Sequence, residues 1–135
     1  MAEHDVWAFD VDGALVDLLG GQTLRPHAHA LLSELRRRGH VIVVWSAGGA
    51  DYARRKAAAT GIDALVDAYY DKAGRDDDGR RTAGHFAAGH RPTVFVDDAP
   101  EEVPARGTAL GVRPFLAPGQ HDTVFADLIE DLDRR

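Results

Sequence analysis

Val6-Trp7-Ala8-Phe9-Asp10-Val11-Asp12-Gly13 is the stretch from which the fold can be read. A short apolar run over residues 6–9 stops at an acidic turn that contains glycine. A buried strand that delivers carboxylates at its tip has this form. Asp and Gly also favour turns for local hydrogen-bonding reasons, so the rest of the chain has to separate a site from an ordinary turn.

Moving outward, Pro26 at a first helical turn, Ala28, Leu31, Leu32 and Leu35 on one face, then Arg36-Arg37-Arg38 and Gly39 describe a helix with start and stop signals. The three arginines suit the negative end of that helix, which is a plainer reading than a nucleic-acid patch. Residues 41–45, nearly all apolar, read as a second buried strand ending at Ser46-Ala47-Gly48-Gly49. A helix over 50–60, closed by Gly61, follows. Residues 65–70 read as a third strand, interrupted by Asp67 and followed by Asp71-Lys72. Residues 93–96 are a fourth strand ending at Asp97-Asp98-Ala99-Pro100. The pattern then predicts a helix over 101–110, with acids in its first turn and Pro104 tolerated there, and an edge strand over 112–116, interrupted by Pro114. Asp122 can cap a last helix whose Val124, Phe125, Leu128, Ile129 and Leu132 form a stripe.

Strands alternating with helices imply an α/β, three-layer, Rossmann-like fold. Its five-stranded sheet is parallel, has right-handed crossovers and carries helices on both faces. At 135 residues the expectation is one domain spanning 1–135 and one active site. No apolar run is long enough to span a bilayer, and Met1-Ala2-Glu3-His4-Asp5 has no basic start or apolar stretch of a secretory signal, so a cytoplasmic location and no membrane partner are expected. With no cysteine, thiolate chemistry and zinc-thiolate sites are excluded. A net charge of −6 argues against a general nucleic-acid binding surface, without excluding a nucleotide or a strand end.

In parallel sheets, sites lie beyond the carboxyl ends of the strands. Nearly every expected strand end carries a capable group: Asp10 and Asp12, Ser46, Lys72, and the pair Asp97-Asp98. Four carboxylates at one edge repel each other unless a cation sits among them. Magnesium, which prefers oxygen ligands and pairs one or two carboxylates with a phosphate oxygen, fits better than zinc. With a phosphate bound, one carboxylate can attack phosphorus, a neighbour can exchange the proton, a hydroxyl can hold an oxygen and a lysine can balance charge. Backbone amides of the Asp12-Gly13 turn are candidate anion donors.

The segment Phe9-Asp10-Val11-Asp12-Gly13-Ala14-Leu15 resembles the first motif of the haloacid dehalogenase-like phosphatases. Ser46 after Val43-Val44-Trp45 resembles the second motif, Lys72 the third and Val96-Asp97-Asp98 the fourth. The resemblance implies Asp10 as nucleophile and metal ligand, and Asp12 as general acid/base with its backbone carbonyl on the ion. It implies Ser46 and Lys72, with Ala47 and Gly13, at the phosphoryl group. Asp98 is expected to bind magnesium directly, with Asp97 behind it touching Lys72.

Two departures are Ala14, where relatives often carry Thr, and Ala73-Gly74 after the lysine, where relatives carry proline. Only residues 13–24 and 47–71 could hold an inserted cap, so the chain resembles the capless members. Those act on macromolecular ends or phosphoproteins, or cover the site by forming a homo-oligomer.

The expected function is thus a magnesium-dependent phosphomonoester hydrolase working through an aspartyl phosphate on Asp10. Its phosphorylated substrate is not identified by the residues; a nucleotide or a nucleic-acid 3′ phosphate is the leading class, because the phosphatase domain of polynucleotide kinase-phosphatases is similarly capless. A phosphoprotein phosphatase is the alternative suggested by Arg25-Pro26. A catalytically weak binding or regulatory module, supported by Ala14, is the other.

Overall fold

A computed structural model describes residues 4–134. The reading of residues 1–3 as lacking a secretory start lies outside them. Strands β1 (Val6–Asp10), β2 (Val41–Ser46), β3 (Ala68–Asp71), β4 (Val94–Asp97) and β5 (Thr108–Gly111) form one sheet in the order β3-β2-β1-β4-β5. All the pairings are parallel, with Trp7 opposite Ile42 on one side and Val94 on the other. This is the α/β, Rossmann-like arrangement expected.

The helices are α1 (Ala28–Arg37), α2 (Ala50–Ala59) and α3 (Val124–Leu132). The spacing of Ala28, Leu31, Leu32 and Leu35 puts all four on the buried face of α1. Burying its leucines is worth roughly 1.5–3 kcal/mol each as an upper bound. Helix α2 buries only Ala53 and Ala57, small residues that let it lie close to the sheet. Both helices stop where the chain turns left-handed at glycine, Gly39 (φ 86°) and Gly61 (φ 80°).

Strand order and crossover hand together decide what covers each face. The chain runs outward from β1 to β2 and β3, then returns to the far side of β1 for β4 and β5. Right-handed crossovers therefore place the first two connections over one face and the next two over the other. Residues of all three α-helices share a core with Trp7, Phe9, Ile42, Val44, Val94 and Val96. The opposite face, with Ala8, Val43, Trp45 and Phe95, is covered by Phe86 and Val103 from irregular connections. Among the described residues that layer holds 3-10 turns (Ala88–His90, Pro100–Glu102) in place of α-helices.

The helix expected over 101–110 does not form. Pro104 holds Val103 in extended geometry (φ −69°, ψ 142°), which ends the turn at Glu102, and Thr108 then enters β5. The fifth strand accordingly starts within the span expected to be helical and ends one residue past it, and residues 112–116 are not a strand. The third strand begins at Ala68 rather than residue 65, because Asp67 spends its carboxylate on the Ile42 N–H (2.8 Å) and on Arg36 (2.9 Å). No helix of the described residues is long and apolar enough to cross a membrane.

Candidate active site at the carboxyl edge of the sheet

Because the strands are parallel, their carboxyl ends share one edge. Strand β1 ends on Asp10, β2 on Ser46 and β4 on Asp97, while Lys72 directly follows β3. The Lys72 N–H donates to the Ser46 carbonyl at 3.0 Å, which ties the lysine to the end of β2. Its ammonium then reaches Asp10 Oδ1 at 2.9 Å and Asp97 Oδ2 at 3.0 Å, with the Trp45 ring 5.2 Å away. Carboxylate oxygens of Asp10, Asp97 and Asp98 all lie within 4.8 Å of one another.

The two members of the final pair have different surroundings. Asp97 is buried, and its oxygens are engaged by Lys72 and by the Ala99 N–H at 2.8 Å. Asp98 meets no hydrogen-bond donor among the described residues and lies against Gly13. A Cβ on Gly13 would sit 2.4 Å from Asp98 Oδ2, and Gly13 has φ +83°, so glycine is required twice over. The Gly13 N–H is committed to the Val16 carbonyl at 2.8 Å. It is therefore spent on the turn, against the expectation of a free anion donor there; the contribution of Gly13 is space.

Asp12 stands apart from the three-carboxylate group. Its Oδ1 accepts a hydrogen bond from Tyr52 Oη at 2.8 Å, a partner on the first turn of α2. Ser46 is buried, and its Oγ accepts from the Gly48 N–H at 3.0 Å, leaving the hydroxyl proton to donate outward. Ala47 follows it on the exposed rim.

Charge in this group is unbalanced. Burial, opposed by Lys72 and reinforced by Asp97 and Asp98, pushes Asp10 up to about 8 from an ordinary 3.8. Burial also raises Asp97. Burial works against the charge on Lys72, but Asp10 and Asp97 outweigh it and hold its proton firmly. Three carboxylates facing one ammonium, with Asp98 unengaged, form an all-oxygen donor set. A hard divalent cation fits that set on charge and ligand type.

A loop carrying no strand or helix of its own holds Asp12 and Gly13 in place. The Val11 carbonyl collects the N–H groups of Ala14, Leu15 and Val16, and Asp17 accepts from those of Gly20, Gln22 and Thr23. Those bonds, that to Thr23 foremost, hold the Asp17 carboxyl below its ordinary value. Beneath them lies Arg25, 1% exposed, whose guanidinium forks onto Asp122 (3.0 and 2.8 Å) and donates to the Gly13 and Ala14 carbonyls at 3.3 Å each. Ala14 is fully buried, so the loop is ordered without a hydroxyl at that position. Lys56 ties the far side of the loop down through the Gly21 carbonyl at 2.6 Å.

Tyr52, Arg25 and Asp122 were not legible as parts of this site. The signal for Tyr52 was its place on a helix that starts just after Ser46. Arg25 and Asp122 are 97 residues apart with no shared pattern. Trp7 and Trp45 are packing residues, each 1% exposed, as expected. Neither interval considered for a cap carries a further folded unit: residues 13–24 are the loop just described and 47–71 hold α2, a 3-10 turn and β3. No family model and no curated protein matches this chain.

Proposed function

We propose that the chain is a magnesium-dependent phosphomonoester hydrolase with Asp10 as its nucleophile. The observation that carries this reading is the convergence on Lys72: one ammonium bridges Asp10 (2.9 Å) and Asp97 (3.0 Å), residues from two strand ends, beside the unengaged Asp98. A structural ion pair would need one carboxylate, and a third facing it would be costly.

Asp10, Asp98 and the Asp12 carbonyl would hold the ion, with Asp97 behind them. Bound magnesium would supply charge neutralisation for the phosphoryl oxygens. In the reaction, an Asp10 oxygen forms a bond to phosphorus as the ester P–O bond breaks. Asp12, oriented by Tyr52, gives its proton to the departing oxygen. It then takes a proton from the water that attacks the aspartyl phosphate, which releases inorganic phosphate and restores Asp10. Ser46 and Lys72 hold phosphoryl oxygens through both steps. The open edge, flanked by exposed Leu18, Leu19 and Leu116, suits a substrate that extends beyond the phosphate group, such as a nucleotide or a nucleic-acid 3′ end. The ordered loop around Ala14 weighs against a merely degenerate binding module.

The test is hydrolysis of p-nitrophenyl phosphate by purified protein with and without magnesium. Turnover that needs the metal and disappears in Asp10→Asn supports the proposal. Absence of turnover, or turnover that Asp10→Asn leaves intact, rejects it. A panel of nucleotides, 3′-phosphorylated oligonucleotides and phosphopeptides then ranks the substrate classes.

A further inference from the structure

The missing helix of the β4-to-β5 connection has a consequence away from the acidic edge. Where a helix would cover β4, residues 98–107 form an irregular strap, and a cavity of about 580 Å³ opens between its end and residues 81–84 and 91–93. That volume lies in the range of sites for small organic ligands. Its lining includes Thr93 and Gly107, which directly precede β4 and β5, so it opens toward the amino ends of the strands, opposite the acidic edge. None of Asp10, Asp97, Asp98 or Lys72 lines it.

Its chemistry is asymmetric. Ala83, Pro104 and Ala105 give it an apolar side, backed by the buried Phe95, against whose ring Gly107 packs so closely that a Cβ would sit 2.2 Å away. Three arginines, Arg81, Arg91 and Arg106, line it against one carboxylate, Asp76. Asp76 is already engaged, accepting from the N–H groups of Asp78 and Arg80 at 2.9 Å each. Arg81 donates to the Lys72 carbonyl at 3.3 Å. Arg91 and Arg106 have no hydrogen-bond or ion-pair partner among the described residues. In a chain of net charge −6, two unpartnered guanidinium groups flanking one apolar cavity make a local anion trap.

We propose that this cavity is a second ligand site, separate from the acidic edge, for a small organic anion with a flat apolar body. Arg91 and Arg106 hold the anionic group, and the body lies against Ala83, Pro104 and Ala105. The site does not rest on the phosphatase reading and stands whether or not the acidic edge hydrolyses anything.

A fluorescence titration with 1-anilinonaphthalene-8-sulfonate, an aromatic anion of suitable size, tests it, with N-phenyl-1-naphthylamine as the same ring system without the charge. Saturable single-site binding of the sulfonate is expected, at least tenfold tighter than the neutral probe. Arg91→Ala combined with Arg106→Ala should weaken it at least tenfold. Gly84→Trp should do the same by filling the cavity, since nothing lies within 4 Å of a Cβ there and the backbone accepts a side chain. Asp10→Asn should leave the affinity unchanged, and circular dichroism melts of the cavity variants should match the parent. Absence of saturable binding, binding that survives either cavity variant, or equal affinity for the neutral probe overturns the proposal.

Discussion

Replacing Arg25 by Met removes the guanidinium and keeps an apolar stem over Phe125, whose ring lies 5.1 Å from the charge. The side chains of Arg25 and Asp122 are both 0% exposed, so the substitution strands a buried carboxylate and takes a donor from the Gly13 and Ala14 carbonyls. Breaking a buried pair from one side costs about 3–5 kcal/mol. With unfolding entropy near 2.1 cal/mol/K per residue, 135 residues give about 0.28 kcal/mol/K, so the midpoint should fall by roughly 11–18 °C. Adding Asp122→Leu removes the stranded charge and should restore about half of the loss; the Gly13 carbonyl keeps the Phe115 N–H, while those of Ala14 and Arg113 stay without the guanidinium. Thermal and urea melts of parent, single and double variants measure this. Should the single variant lose less than about 1 kcal/mol, or the double variant be no more stable than the single, the buried-charge reasoning is refuted. Turnover in the folded fraction should drop through kcat, because the freed Ala14 carbonyl belongs to the loop that carries Asp12.

Three further outcomes are expected. Tyr52→Phe removes the donor to Asp12 and should lower kcat/KM by roughly 10- to 150-fold, in line with about 1.5–3 kcal/mol for a hydrogen bond to a charged group, with little change in the melting point; an unchanged rate counts against Tyr52 as a positioning residue. Gly13→Ala drives a methyl group into Asp98 at φ +83° and should weaken magnesium binding at least tenfold by calorimetry; unaltered affinity would mean that Asp98 is not a ligand. Asp10 keeps its proton in the metal-free fold up to about 8, whereas the unfolded carboxyl loses it near 3.8. Between those values the folded state binds the extra proton, so this group's contribution makes metal-free stability fall as pH rises through the window and level off above it. Magnesium competes with that proton. The melting-point gain on adding magnesium should therefore grow between about pH 5 and pH 8, and a gain that is flat in paired melts speaks against ionised Asp10 as a ligand.

Local pattern was a sound guide wherever burial was two-sided and continuous. Residues 6–9, 41–45 and 94–96 are apolar without interruption because both faces of a central parallel strand are covered, and each proved to be strand, with Thr93 of the expected fourth strand lying just before it. It failed over 101–110, where acids suggested a first helical turn but Pro104 and Gly107 favoured an extended path into β5. Composition alone did not separate the two outcomes, since β5 is an edge strand whose residues are only partly buried or exposed.

For the candidate site, order along the chain was enough to mark Asp10, Ser46, Lys72 and Asp97-Asp98, because parallel strands bring their carboxyl ends to one edge whatever connects them. Distances and roles within that set were not readable. That Lys72 bridges Asp10 and Asp97, that Asp98 alone is unengaged, that Asp12 is held by Tyr52 and that Gly13 serves by its missing side chain all follow from packing between segments tens of residues apart. The amino-acid sequence by itself determined an α/β sheet with an acidic edge, since strand identity and strand ends depend on short-range periodicity and turns. Only the tertiary structure decided which face lacked a helix, which residues staple the loop that carries Asp12 and where an arginine-lined cavity opens. Those features depend on crossover direction and side-chain contacts, which leave no periodic trace in the chain.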